Sequence, residues 1–305
     1  MLSGKRPLTV HMIRALALGL GISTDTLVGL NEELAEKRPD AVDWSRFPIK
    51  EMVSRGWISK ASKGTLVEPQ NLVQNFLAQV GLNFGTTAYK RSLHGDAYSP
   101  TSKYALQAWL ARVVLKSREK RGTIRKFDRS VLSAGFLREL AQLSWSEQGP
   151  SLAIEFLEKN GICVIIEPHL KGTLLDGAAL EDEDGQPIIG LTLRFDRLDN
   201  FWFTLLHEVA HIWKHVGNGE TFIDDLENSS EDRREIEANR LAREAFIPRS
   251  IWKRSDAYIS PSIETIDRLS RELKIHPSIV AGRLRKELNN CLLYTSDAAD
   301  DLLCV

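Results

Sequence analysis

Positions 201–215 read "FWFTLLHEVAHIWKH", which sets His207, Glu208 and His211 among large apolar residues. On an α-helix, residues four apart lie on one face, about 6 Å from each other. Two imidazoles at that spacing can reach one ion at about 2.1 Å each, the usual zinc–nitrogen distance. Glu208 follows the first histidine directly. It flanks such an ion without binding it, close enough to take a proton from a water that zinc has made acidic. Ionisable groups on a buried helix are costly unless they pair or hold a metal. The competing reading is a helix whose histidines only satisfy hydrogen bonds in a core.

A third ligand has to come from elsewhere in the chain. His215 shares the face of His207 but stands about 12 Å further along the axis. It cannot share the ion with both others, and reads as a helix-end histidine or a group behind a ligand. No histidine follows Gly217 at the spacing some zinc enzymes use. The better source is "EIEANRLAREAFIP" (235–248). On a helix, Glu235, Ala238, Asn239, Ala242 and Ala245 share a face whose small residues allow close approach. Glu235 is the candidate third ligand. Asn239, one turn on, is placed to hydrogen-bond a ligand from behind. Glu237 is the rival, turned to a different side with Arg240 and Glu244.

The elements that must position these residues follow from pattern. "PQNLVQNFLAQVG" and "SKYALQAWLARVVLKSREK" space apolar residues at threes and fours, as helices do. Trp109 and Trp145 read as core or groove aromatics. Lys116, Arg118, Lys120 and Arg121 read as a solvated basic face at a helix end, where cations favour the dipole. "SLAIEFLEKNG" is a helix closed by Gly161, and "ICVIIEP" (162–168) a buried strand. "GTLLDGAAL" and "QPIIGLTLRF" (186–195) are two more strands joined by the acidic turn "EDEDGQ". Asp199 and Asn200 supply a cap signal for the histidine-bearing helix. "SPSIETIDRLSRELKIHPSIVAGRLRKEL" (260–288) reads as two helices joined at His276-Pro277, packed on the core or serving as a partner-binding arm. The expected fold is α+β, mainly helical, with a small mixed sheet beside the HExxH helix. Expected divisions are 1–35, a helical linker region 36–125, a metal-binding domain 126–290 and a tail 291–305.

Composition excludes several classes. Net charge is −1, so no global field favours nucleic acid or an anionic membrane. No apolar run approaches a bilayer span, and "MLSGKRPLTV" lacks the apolar core of a signal peptide. Cys163, Cys291 and Cys304 form no CxxC pair, which suits a reducing compartment. A cytoplasmic protein without membrane contact is expected. The last fifteen residues, "CLLYTSDAADDLLCV", resemble translated sequencing-adapter read-through and are expected to be non-native.

"HEVAHIWKH", then "ExxAN" and an "FIP" stop, resembles the ImmA/IrrE family of zinc metallopeptidases. "PHLKGTLLDGAAL", "GQPIIGLTLRFDRLDNFWFTLLHE" and "TFIDDLE" resemble its longer members. The resemblance implies a gluzincin-like core, with Zn2+ on His207, His211 and Glu235 and Glu208 as base. It also implies a protein substrate such as a helix-turn-helix repressor. "SGKRPLT" and the helices after it (1–35) are similar to the end of the repressor-like module that such members carry, of the toxin–antitoxin repressor type. The base-reading helix is absent, so DNA binding is not carried over.

Three functions are open at this point: a zinc endopeptidase, a DNA-binding regulator or antitoxin-type protein whose zinc domain senses a partner, and a silent zinc-stabilised scaffold. A site with two histidines, one glutamate and an open position favours the first over the third, since structural zinc sites fill all four positions. "PIIGLTLRF" is the expected edge strand for an extended substrate. His169, Arg194 and His215 are the candidate oxyanion donors.

Overall fold

A computed structural model of the chain describes residues 43–59, 69–81, 100–173, 175–216, 222–224 and 233–288. The expectations for 1–35 and 291–305 lie outside these residues. The helices are α1 (Ile49–Ser54), α2 (Pro69–Ala78), α3 (Pro100–Lys120), α4 (Ala134–Gln142), α5 (Gly149–Lys159), α6 (Leu198–Lys214), α7 (Arg233–Phe246), α8 (Arg249–Trp252), α9 (Asp256–Ile259), α10 (Ile263–Leu273) and α11 (Pro277–Leu288). Between α5 and α6 run β1 (Cys163–Ile166), β2 (Gly177–Glu181) and β3 (Pro187–Leu191), and β4 (Phe222–Asp224) comes after α6. The fold is mainly helical α+β with a small mixed sheet, as expected.

The sheet runs β1-β3-β2-β4, with β1 parallel to β3 and the other pairs antiparallel. β2 and β3 form the expected hairpin, although β2 begins at Gly177 rather than Gly172. Its acidic turn closes through Asp182 N–H to the Gln186 carbonyl at 2.9 Å, with Gly185 in the left-handed region that favours glycine. Two expectations about β3 are corrected. It ends at Leu191 rather than 195: Thr192 still donates its N–H to the Asp176 carbonyl and its hydroxyl to that of Leu175, but the extended backbone stops there. Leu193 then turns left-handed at φ 54°. Nor is β3 an edge, since it lies between β1 and β2. All five of its residues are buried, as an apolar run covered on both faces must be.

Side chains alternate across a strand, which separates the two coverings. On one face, Ala179, Ile189 and Leu191 join Leu205, Leu206, Val209 and Ile212 of α6 in the main core. The opposite face meets α3, where the fully buried Trp109 lies against Gly190 and donates its indole N–H to the Glu167 carbonyl at 2.9 Å. A Cβ on Gly190 would come within 2.6 Å of that indole. Although α3 precedes residue 125, it therefore shares a core with the sheet. Trp145, by contrast, is 48% exposed and is not a core residue.

The basic cluster at the end of α3 lies at the surface. Its cations are partly exposed and also ion-paired: Lys116 with Glu167 at 2.6 Å, Lys120 with Glu158 at 2.8 Å, and Arg118 with buried Asp182 at 2.7 Å, which Arg121 also contacts. Burial alone would raise the Asp182 carboxyl, but the bonds from Arg118 and the Glu183 N–H hold it below its ordinary range.

At the other end, α6 begins after Arg197, and Asp199 does not cap it. Two arginines take that carboxylate, Arg197 beside it and Arg285 of α11 at 2.8 Å. Gly282 of α11 leaves room for Asp199, and Val280 and Leu284 are fully buried in the same core. The helices at 260–288 thus pack on the core. Ser262 and Thr265 form a capping box that starts α10.

Candidate metal centre

Residues 204–212 of α6 are buried without interruption. A helix apolar all round belongs inside a protein, and this one carries three ionisable groups at 0% exposure, His207, Glu208 and His211. The Nε2 atoms of His207 and His211 face each other at 2.8 Å. Into the same point α7 delivers Glu235, with Oε2 at 3.1 Å from His207 Nε2 and Oε1 at 3.1 Å from His211 Nε2. The buried Ala238, Ala242 and Ala245 allow α7 to lie close on α6, as the spacing of small residues predicts.

The donor set suits a cation. One ligand atom from each of the three residues falls within a 4.8 Å group. A tetrahedral zinc with bonds of about 2.1 Å separates its ligands by about 3.4 Å, and this triangle is a few tenths of an ångström tighter. Burial pushes the Glu235 carboxyl up, but its side-chain contacts with the His207 and His211 imidazoles outweigh it and hold the group at about 2. It is a carboxylate throughout the working range. Phe203, one turn before His207, sets its ring 6.1 Å from that imidazole.

Glu208 points to the sheet side of the helix. A Cβ on Gly177, the first residue of β2, would meet Glu208 Oε1 at 2.6 Å and Thr204 Cγ2 at 2.7 Å. Only a glycine lets the carboxylate and the strand approach so closely. The HExxH spacing says nothing of Gly177, although a glycine within a strand is a recognised sign of close approach.

The remaining candidates separate clearly. Asn239, one turn after Glu235, has its Oδ1 buried with no hydrogen-bond partner among the described residues. His215 lies behind His211, Nδ1 to Nδ1 at 3.1 Å, and its Nε2 meets Glu237 Oε2 at 3.2 Å. Burial lowers the His215 imidazole below its ordinary value, although Glu237 opposes that. Glu237, the rival ligand, thus faces His215 and not the triangle. These two contacts of the His215 ring run to His211 Nδ1 and Glu237 rather than to His207 or Glu235. Arg194 stacks on Phe195 at 4.7 Å. The carbonyl of His169 accepts from Arg55 at 2.7 Å, beside α1. Burial lowers the His169 imidazole, helped by the charges of Arg194 and Arg55.

A buried helix offering two imidazoles, crossed by a second that adds a carboxylate, defines a site of the metallohydrolase type. Residues 158–285 match the peptidase family model described as the IrrE N-terminal-like domain. That stretch contains the sheet, α6 and α7, and the match supports the ImmA/IrrE family and a metallopeptidase-type function in general. No curated protein matches the chain. Among the described residues, no helix is long and apolar enough to cross a membrane.

Proposed function

We propose that the chain is a zinc-dependent endopeptidase acting on a regulatory protein such as a helix-turn-helix repressor. The observation that carries the reading is the convergence of His207, His211 and Glu235 within 3.1 Å of one another, beside a fully buried Glu208. These three residues would hold the metal. Zinc bound there supplies Lewis acidity, polarising a scissile carbonyl and making water acidic near neutral pH.

The chain's own residues do the rest. Glu208 accepts the proton of the attacking water and returns it to the leaving nitrogen. Gly177 admits its carboxylate beside the strand. Burial of the whole constellation strengthens each electrostatic contact. An extended substrate needs a strand edge, and among the described residues β4 ends the sheet order where β3 does not. Asp224 of β4 pairs with Gly177 of β2, the residue that lies against Glu208.

Zinc-loaded protein should be incubated with repressor proteins encoded near its gene, alongside Glu208→Gln. Discrete cleavage by the wild type and none by Glu208→Gln supports the proposal. Intact repressors with the loaded wild type would reject it for that substrate class.

A further inference from the structure

We propose that His215 and Glu237 form a positioning relay that fixes His211 in the orientation and tautomer required for metal binding. The relay rests on the zinc reading and adds residues that the ligand set does not contain. Its direction is set by donors and acceptors. His211 can ligate through Nε2 only if that atom keeps its lone pair, which leaves the ring proton on Nδ1. At 3.1 Å from His211 Nδ1 stands His215 Nδ1. Two ring nitrogens can share one hydrogen bond only if one donates and the other accepts, so His215 Nδ1 accepts. The proton of neutral His215 then sits on Nε2, where it donates to Glu237 Oε2 at 3.2 Å. Each link fixes the next, and the direction has no alternative consistent with ligation by His211.

Both ends of the relay are anchored. His215 is the residue that closes α6, and its N–H bonds to the His211 carbonyl at 2.7 Å. Its side chain is 7% exposed, which shields the bonds from competing water. Glu237 lies two residues after Glu235 on α7, so one helix delivers a direct ligand and the carboxylate that ends the relay. Glu237 also lies 3.7 Å from the Arg240 guanidinium. A ligand histidine that donates its other N–H to a carboxylate is a common arrangement. Here a second imidazole is interposed between His211 and Glu237.

The test is zinc affinity, measured by competition with a chromogenic chelator, with the histidine tautomers read by long-range 1H–15N correlation spectra. Glu237 is 40% exposed, so its replacement leaves the core intact. Glu237→Ala and His215→Phe should each weaken zinc binding about 10- to 100-fold. Glu237→Gln, whose amide oxygen still accepts from His215, should stay within about 3-fold of the wild type. The wild-type spectrum should place the His211 proton on Nδ1, and His215→Phe should show a mixture of tautomers in the metal-free protein. Wild-type affinity and an unchanged His211 tautomer in both Glu237→Ala and His215→Phe would overturn the relay while leaving the zinc site intact. No zinc binding by the wild type would instead remove the site itself, and the relay with it.

Discussion

The two faces of the small sheet use the same device for different ends. On one, Gly190 gives way to the indole of Trp109. On the other, Gly177 gives way to the carboxylate of Glu208. In each case a Cβ would fall 2.6 Å from the approaching group. An indole needs only contact and one hydrogen bond, which the Glu167 carbonyl provides. A buried carboxylate is stable only with an electrostatic reason to be there. One face is therefore packing, and the other is packing arranged around chemistry.

Mutation can tell the two faces apart. Glu208→Gln keeps the shape of the side chain and removes the base, so hydrolysis should fall about 10²- to 10⁴-fold while zinc content is unchanged. A steady-state assay beside metal analysis checks both. Trp109→Ala should cost about 3–5 kcal/mol of stability in a denaturant titration, with the activity of the folded fraction kept. The paired glycine variants separate the faces further. Gly177→Ala and Gly190→Ala should each destabilise by about 1–3 kcal/mol through overpacking. Only Gly177→Ala should also lower kcat, by more than about 10-fold, because its new methyl displaces Glu208.

The smallest effect concerns acid. Asp182 has a lowered carboxyl pKa, so its ion pairs with Arg118 and Arg121 contribute stability above the ordinary value of 3.8, and that contribution is lost as pH falls below it. Stability measured between about pH 5 and 3 should fall more steeply for the wild type than for Asp182→Asn. Equal slopes would show that the pairs matter little.

Much of the fold is legible in the sequence because it is local. The period of α6, the β2–β3 hairpin around "EDEDGQ" and the helix ending before Pro248 all follow from spacing, turn residues and stop signals. So does the meeting of His207 with His211, which helix geometry alone dictates. The features that local pattern does not state depend on partners distant in sequence. An apolar run says that β3 is buried but not which strands flank it, so its central place in the sheet is hidden. Asp199 has the residue type of a cap, but its competing partner Arg285 lies 86 residues away. The significance of Gly177 lies in a carboxylate on another element. The orientation of Glu237 toward His215 depends on how α7 rolls across α6.

Whether His207, His211 and Glu235 hold one zinc ion is decided by metal content. Mass spectrometry on purified protein should find about one zinc per chain in the wild type, and none in His211→Ala or in Glu235→Ala, with both variants still folded. A wild type that holds no zinc even after reconstitution would contradict the three-ligand site and make the histidines of α6 a feature of the core.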